Sequence, residues 1–267
     1  MADQRKMFTI AFEEFRPQLK SYLLRMTASP DDAQDLVQDT FIQAEKNLPT
    51  FEGRSTLKTW VFTIATNLAR NFMRSRKRWP ENVTDIGKEA ALVSPTFMKD
   101  IMEVHQTSPQ GAFEIREHIN FCFSCIGKTL PIEQQVALLL KEIHDFKVTE
   151  VAEILEVTEG VAKHLLFNAR QTMIRIFDKR CSLINKEGIC HQCSELNGVF
   201  NSKHETQKEL MKLDLVSRAA DAGRDELLDL RTKIVKSIDP FDTAGTDLQF
   251  FHLRHTKRVM DAQADKV

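Results

Sequence analysis

Residues 147–177 read KVTEVAEILEVTEGVAKHLLFNARQTMIRIF, and their pattern predicts two helices joined by a short turn. The first helix spans 149–155, where apolar residues recur at three- and four-residue steps and face inward. A turn follows over 156–158, and Thr158, with Glu159 after it, caps a longer second helix. These residues therefore predict a helix-turn-helix, an arrangement that can place its second helix in the major groove of DNA.

The second helix of this motif carries outward-facing side chains of types that reach base edges and phosphates in a major groove. They are Lys163, His164, Phe167, Asn168, Gln171 and Arg175, whereas the predicted inward face is Val161, Leu165 and Ala169. Many helix pairs serve only the fold, so the pattern alone leaves a DNA-reading role and a structural role open.

Three more amphipathic helices are predicted in the first 80 residues, because apolar residues recur there at helical spacing. They cover 8–26, 33–48 and 57–72. Ser29 and Pro30 provide a cap and a first-turn proline for the middle helix, and Pro49 ends it. After a short loop, we expect the third helix to start near Ser55.

The end of the third helix, NLARNFMRSRKR over 67–78, holds five basic residues and no acidic one. The helical repeat collects polar and basic side chains on one face, namely Asn67, Arg70, Arg74 and Lys77 or Arg78. A one-sided basic stripe suits phosphate binding, because each neutralised phosphate releases condensed counterion. Unpaired bases could stack on the nearby aromatic residues Phe51, Trp60 and Phe62. The alternative is a solvated helix end whose cations suit the helix dipole.

The second helix has the opposite polarity, since Asp32, Asp35 and Asp39 lie at helical spacing beside its apolar face. Acidic stripes of this kind are most often solvated surface. The functional alternative is docking onto a basic surface of a partner protein, because complementary charge steers association.

Low contents of glycine and proline, 9 and 8 of 267 residues, predict an all-α protein. We expect two small helical domains joined by a flexible linker, with a helical C-terminal extension. Residues 80–112 hold three prolines and no sustained period, which favours a linker there. The predicted segments are a first domain over 1–79, the linker over 80–112, a second domain with the helix-turn-helix over 113–180, a cysteine-rich link over 181–204 and the extension over 205–267.

Four of the five cysteines form two Cys-x-x-Cys pairs, Cys122 with Cys125 and Cys190 with Cys193. Two such pairs have the ligand type and spacing of a tetrahedral zinc site, provided that tertiary folding brings the distant pairs together. A redox switch and buried structural thiols are the alternatives that the sequence leaves open.

The formal net charge is −1, but residues 1–80 hold 13 basic and 9 acidic side chains. The total therefore does not argue against nucleic acid, because the charges are segregated along the chain. The absence of a long apolar window or an apolar leader favours a cytoplasmic protein with no membrane span. The absence of a P-loop, HExxH pair or GxSxG elbow predicts a protein that is not an enzyme and has no catalytic residues.

Taken in order, three blocks resemble the bacterial sigma factors of the extracytoplasmic-function type. They are SPDDAQDLVQDTFIQAEKNLPTF at 29–51, GRSTLKTWVFTIATNLARNFMRSRKR at 53–78 and LPIEQQVALLLKEIHDFKVTEVAEILEVTEGVAKHLLFNAR at 130–170. The resemblance covers about residues 8–180. It implies two small helical domains that bind core RNA polymerase and direct it to promoter DNA, with no cofactor required.

Carried over by position, the resemblance assigns Asp32, Asp35, Gln38 and Asp39 to docking on the largest polymerase subunit. The residues assigned to reading and melting the −10 element are Phe51, Arg54, Ser55, Trp60, Asn67, Arg70, Arg74 and Lys77. Those assigned to the −35 element are Thr158, Lys163, His164, Phe167, Asn168 and Gln171. Family recognition helices usually run GTVKSRLxRAR, so Leu165 and Asn168 replace arginines here, which implies weaker phosphate anchoring at the −35 element.

The extension over 205–267 holds 11 basic and 12 acidic residues, and its apolar face must be covered. We expect a fused regulatory segment that masks or positions the sigma domains, in place of a separate anti-sigma protein. Two other classes remain as alternatives. One is a stand-alone helix-turn-helix regulator that binds DNA without polymerase, and the other is a thiol-based redox or metal-sensing protein.

Overall fold

The computed structural model describes residues 2–74, 76, 78–107, 115–180, 223–243 and 246–264. These residues form helices joined by short turns, which confirms the all-α prediction. The helices are α1 (Ala2–Thr27), α2 (Pro30–Asn47), α3 (Leu57–Met73), α4 (Val83–Val93), α5 (Phe97–Thr107), α6 (Ile115–Gly127), α7 (Ile132–Leu138), α8 (Val148–Leu155), α9 (Glu159–Arg180), α10 (Arg224–Lys236) and α11 (Thr246–Ala264). None of the described helices is both long and apolar enough to cross a membrane.

The chain divides into two compact units. The first unit is Met1–Arg78 with Pro131–Ala169, and the second is Trp79–Leu130 with Arg170–Val267. Each predicted domain is one continuous stretch of sequence, whereas each of these units combines two separate stretches of the chain.

Three helices, α1, α2 and α3, pack on one another at the start of the first unit. Ser29 begins α2, because its Oγ accepts a hydrogen bond from Asp32 N at 3.3 Å and Pro30 takes the first helical position. Thr56 begins α3, and its Oγ1 accepts from Thr59 N at 3.0 Å. The three helices predicted from apolar spacing are therefore present, with α3 starting at its own threonine cap.

The rest of the first unit is α7, α8 and the start of α9, joined to α1 and α3 by buried contacts. A π-helical turn, Leu139–Ile143, follows α7 and leads to Phe146. The Phe146 ring lies against Phe62 of α3, with centroids 4.8 Å apart. The Gln135 side chain donates to the Arg25 carbonyl oxygen at 3.0 Å. An aromatic contact and a buried amide hydrogen bond thus hold the helix-turn-helix against the N-terminal helices.

The helix-turn-helix itself has the predicted geometry. Glu156, with a φ of 57°, closes α8 in the left-handed conformation that often ends helices. Thr158 caps α9, since its Oγ1 accepts from Val161 N at 3.3 Å. The predicted inward face is wrong at Val161, which is 45% exposed, because Ala162 occupies the buried seam one residue later. That seam continues through Ala169 and Met173 at helical spacing.

The second unit contains α4, α5, α6, α10 and α11 together with the end of α9. The expectation of an irregular linker is wrong for α4 and α5. Pro80 precedes α4 and Pro95 lies in the turn between the two helices, so neither proline interrupts one. Both helices bury apolar side chains, including Val83 and Phe97, and pack on α11. A partner more than a hundred residues away supplies the contact that stabilises them.

Helix α4 lies close to α11 at Gly87. A Cβ atom at that position would lie 3.2 Å from Thr256 Oγ1, which is tighter than most side-chain contacts. His255 of α11 also places Nε2 3.0 Å from the Gly87 carbonyl oxygen. The C-terminal extension therefore packs against helices from the predicted linker, and its residues 205–222 lie outside the described residues.

Candidate nucleic-acid interface

The basic end of α3 separates into arginines with different surroundings. Arg74 is exposed at the C-terminal end of the helix. Arg70 is half-buried, and its Nη2 lies 3.4 Å from Glu133 Oε1 of α7. Arg76 stacks on the Phe72 ring and pairs with Asp32 at 3.2 Å. The predicted stripe thus presents Arg74 and Arg78 to solvent, whereas Arg70 is engaged by a carboxylate of the first unit. Lys77 lies outside the described residues.

The aromatic residues near this stripe also differ from one another. Phe51 and Trp60 are half-buried neighbours with ring centroids 5.0 Å apart. Phe62 is fully buried against Phe146 and Tyr22, so the expectation that a base stacks on it is wrong. A ring in the core cannot present a face to an unstacked base without exposing that core. The aromatic platform in this part of the unit is therefore the Phe51–Trp60 pair.

The loop before α3 carries the remaining residues assigned to the −10 element. Arg54 is largely exposed and bonds Glu52 through Nε at 2.7 Å. Ser55 and Asn67 are half-buried. Gly53 has a φ of 70°, a conformation that glycine adopts without steric cost. The loop thus turns sharply while leaving the Arg54 side chain in solvent.

Two ionisable side chains of the first unit, Lys58 and His144, are partly or fully buried. Lys58 of α3 lies over the Phe146 ring at 4.8 Å, and partial burial lowers the pKa of its amine. His144 is buried, and desolvation together with the charges of Arg25 and Lys58 lowers the pKa of its ring well below the usual range. His144 is therefore neutral at physiological pH and serves the packing rather than phosphate binding.

The side chains of the acidic stripe of α2 also differ from one another in exposure and ion pairing. Asp35, Gln38 and Asp39 are exposed, whereas Asp32 is partly covered and pairs with Arg76. Leu36 and its apolar neighbours face the core from the other side of the helix. The exposed carboxylates form a surface that a basic partner can reach, and Asp32 instead stabilises the first unit.

The second helix of the helix-turn-helix presents most of its predicted reading face to solvent. Thr158, Lys163, His164, Phe167 and Gln171 are exposed, and the Phe167 ring is 59% exposed although it is apolar. Asn168 is half-buried, with its Nδ2 3.0 Å from His164 Nε2. This face of α9 therefore presents polar groups and one aromatic ring to solvent.

Arg170 is a residue of this helix that the sequence reading missed. It follows Phe167 by three residues and Lys163 by seven, so the three side chains share one face of α9. That spacing is the signal that could have found it. Arg170 is bound by Asp225 and Asp229 of α10, and Arg175 is bound by Glu81, all within the second unit.

Both cysteines of α6 are buried. Cys122 places Sγ 3.2 Å from His118 Nε2, and Cys125 is fully enclosed, which raises the pKa of its thiol. In the described ranges, no three histidine, cysteine, aspartate or glutamate side chains gather to hold a metal ion. Cys190 and Cys193, the other half of the predicted zinc site, lie outside those ranges.

Two family models match the chain in the order of these surfaces. Sigma-70 region 2 matches residues 11–78, which contain α2 and α3, and Sigma-70 region 4 matches residues 124–173, which contain the helix-turn-helix. The chain therefore contains both sigma-70 regions, 2 and 4, and the curated relatives it matches include extracytoplasmic-function sigma factors. The resemblance seen in the sequence is therefore confirmed.

The chain matches curated relatives over a little less than two thirds of its length. The ECF RNA polymerase sigma factor SigG of Mycobacterium tuberculosis (strain ATCC 25618 / H37Rv) is 30% identical over 183 residues, which cover 64% of this chain and 49% of SigG. The ECF RNA polymerase sigma-E factor of Haemophilus influenzae is 26% identical over 168 residues, which cover 62% of this chain and 85% of that protein. The chain spans about half the length of SigG.

Among solved structures, the sigma factor RpoE in complex with the anti-sigma factor NepR from Bartonella quintana is similar to this chain. The similarity has a TM-score of 0.46 at 21% sequence identity. It covers 65% of this chain and 98% of that chain.

Proposed function

We propose that this sigma factor binds core RNA polymerase and directs it to promoters through a −10 and a −35 element. The observation that supports this most is the separation of charge within one bundle. The α2 surface presents Asp35 and Asp39, whereas the end of α3 presents Arg74. An acidic surface and a basic surface on the same bundle suit a protein that contacts both polymerase and DNA, because each partner surface calls for the opposite sign of charge.

In this proposal, each surface has one task. Asp35, Gln38 and Asp39 dock on a basic surface of core polymerase, and Asp32 supports them through its pair with Arg76. Opening of the −10 element needs a platform for an unpaired base, and the Phe51–Trp60 pair has the geometry for it. The exposed face of α9 reads the −35 element in duplex form, because a helix fits a major groove.

The experiment that tests the proposal is transcription in vitro with core polymerase on a promoter library. A sigma factor co-purifies with the core enzyme and gives transcripts whose upstream sequences share two spaced elements. Binding to DNA without any association with polymerase would instead favour the stand-alone regulator. Release of transcripts only after thiol oxidation would favour the redox alternative.

Replacement of Arg74 by alanine is expected to reduce open-complex formation by about fivefold at moderate salt, because one exposed phosphate contact is lost. The slope of log affinity against log salt should become shallower by about 0.9 for the same reason. Both quantities can be measured by filter binding of the complete polymerase complex. Arg16→Ala, an exposed arginine of α1, is the matched control. An unchanged salt slope in Arg74→Ala would remove Arg74 from the DNA contact.

The remaining assignments belong to the same proposal. The protein acts as an initiation factor rather than as an enzyme, and it acts in the cytoplasm, where core polymerase and DNA are found. Regulation comes from an anti-sigma protein or from the C-terminal extension.

Zinc bound by Cys122, Cys125, Cys190 and Cys193 stays a prediction, which metal analysis of protein purified under reducing conditions will test. One zinc per chain would support it, and metal-free protein that is folded and active would refute it.

A further inference from the structure

Arg170 lies on the face of α9 that carries the proposed DNA-reading residues. Its side chain is one turn from Phe167 and two turns from Lys163, both of which are exposed. A guanidinium group at this place is well suited to a DNA phosphate, because arginine donates two parallel hydrogen bonds to an oxyanion. The geometry of the helix alone would thus make Arg170 a phosphate contact.

Carboxylates of the extension occupy Arg170 instead. Its Nη2 lies 2.8 Å from Asp229 Oδ1 and 3.4 Å from Asp225 Oδ1. The two aspartates are four residues apart on α10, so both face the same guanidinium. The Arg170 side chain is only 18% exposed, whereas the two aspartates remain about half in solvent. The arginine is therefore the covered member of the cluster.

The helix that carries these aspartates is firmly packed on the end of α9. Arg231 of α10 stacks on the Phe177 ring, with its guanidinium carbon 3.5 Å from the ring centroid. Leu228 and Val235 of α10 are buried. Asp225 and Asp229 are consequently held in place by apolar and cation–π contacts of their own helix, and not only by their charge.

A second arginine of α9 is also bound by a carboxylate, although it stays exposed. Arg175 forms a two-pronged ion pair with Glu81, and its Nη1 lies 2.7 Å from Glu81 Oε2. Glu81 comes from the segment just before α4, which belongs to the second unit as Arg175 does. Two arginines of α9, Arg170 and Arg175, are thus bound by carboxylate oxygens of the same chain.

We propose that α10 is an intramolecular mimic of the DNA backbone, in which Asp225 and Asp229 hold Arg170 and lower the affinity of α9 for duplex DNA. This inference rests on the proposed assignment of α9 to DNA. A phosphate can bind Arg170 only after it displaces both carboxylates, so the ion pairs compete directly with DNA.

The test uses the full chain and a labelled duplex of mixed sequence, because phosphate contacts do not depend on base sequence. Asp225→Asn/Asp229→Asn should bind this duplex about tenfold more tightly than the unchanged protein at 50 mM salt, and its log–log salt slope should steepen by about 0.9. Arg170→Ala should change binding less than twofold in the unchanged chain and should abolish the gain in the double variant. Asp242→Asn/Asp247→Asn removes the same charge elsewhere in the extension and should give little gain.

Three outcomes would overturn the inference. The first is a double variant that binds the duplex with unchanged affinity and slope. The second is an Arg170→Ala protein that loses affinity in the otherwise unchanged chain, since Arg170 would then already be available. The third is an equal gain in the control variant, which would indicate net charge alone.

Asp225→Asn by itself, at a largely exposed position, preserves the fold and should give part of the gain. The duplex-binding test contains no polymerase. Failure of promoter-directed transcription would therefore refute the proposed function and leave the duplex-binding result unchanged.

Discussion

Reversal of charge at the exposed carboxylates of α2, in Asp35→Lys/Asp39→Lys, is expected to weaken binding to core polymerase about a hundredfold. Both side chains point to solvent, and neither has a role in the first turn of the helix, where Asp31 and Asp32 favour the helix dipole. The substitution therefore leaves the fold intact but places like charges against a basic partner. Juxtaposed like charges cost several kcal/mol at an interface, and about 2.7 kcal/mol corresponds to a hundredfold.

Affinity can be measured by competition with a reference sigma factor for core polymerase. Glu14→Lys/Glu153→Lys is the matched control, because it changes the charge of the first unit by the same amount at two other exposed positions. The control should bind polymerase within about threefold of the unchanged protein, since charges outside the contact act mainly through long-range steering. If both variants lost affinity equally, the α2 surface would not be the docking site.

Truncation of Phe62 to alanine is expected to lower the free energy of unfolding by about 3–5 kcal/mol, the usual range for a buried phenylalanine. The ring is fully buried and lies 4.8 Å from Phe146 and 5.5 Å from Tyr22, centroid to centroid. Its loss leaves a cavity where α3 meets the helix-turn-helix, so both ends of the first unit should lose stability. A loss of this size is a large fraction of the 5–15 kcal/mol that typical domains possess.

Urea unfolding followed by circular dichroism measures this change. Phe167→Ala is the control, because its ring is mostly in solvent and its removal should cost less than about 0.5 kcal/mol. The comparison also decides between two roles for Phe62. A base-stacking residue would lose promoter opening with unchanged stability, and that result would contradict the buried position.

The sequence alone was a sufficient guide to the helices of the first unit. Their apolar spacing, the Ser29 cap and the helix-turn-helix turn are local features, which are set by residues within one or two turns of each other. The same local rules identified the exposed carboxylates of α2 and Arg74 as surface groups. They also named Phe51 and Trp60 as candidate stacking residues, and the structure brings the two rings to 5.0 Å of each other.

Local rules failed where contacts come from distant parts of the chain. Helices α4 and α5 were missed because the surface that covers their apolar residues belongs to α11. Phe62 was misplaced because a spacing pattern cannot tell which of several aromatic residues reaches the core. Spacing patterns also could not predict which arginines form ion pairs, because Arg70 meets Glu133 and Arg170 meets Asp229 across long sequence separations.

The sequence by itself determined that this protein is helical and carries acidic and basic surfaces in a set order, within motifs that resemble those of the extracytoplasmic-function sigma factors. Those properties follow from periodicity and residue type, which need no partner. Only the tertiary structure decided which charges remain available, because an ion pair depends on the distance between side chains and not on their separation in sequence. In that respect Arg74 is presented to solvent, whereas Arg170 is covered by the C-terminal extension.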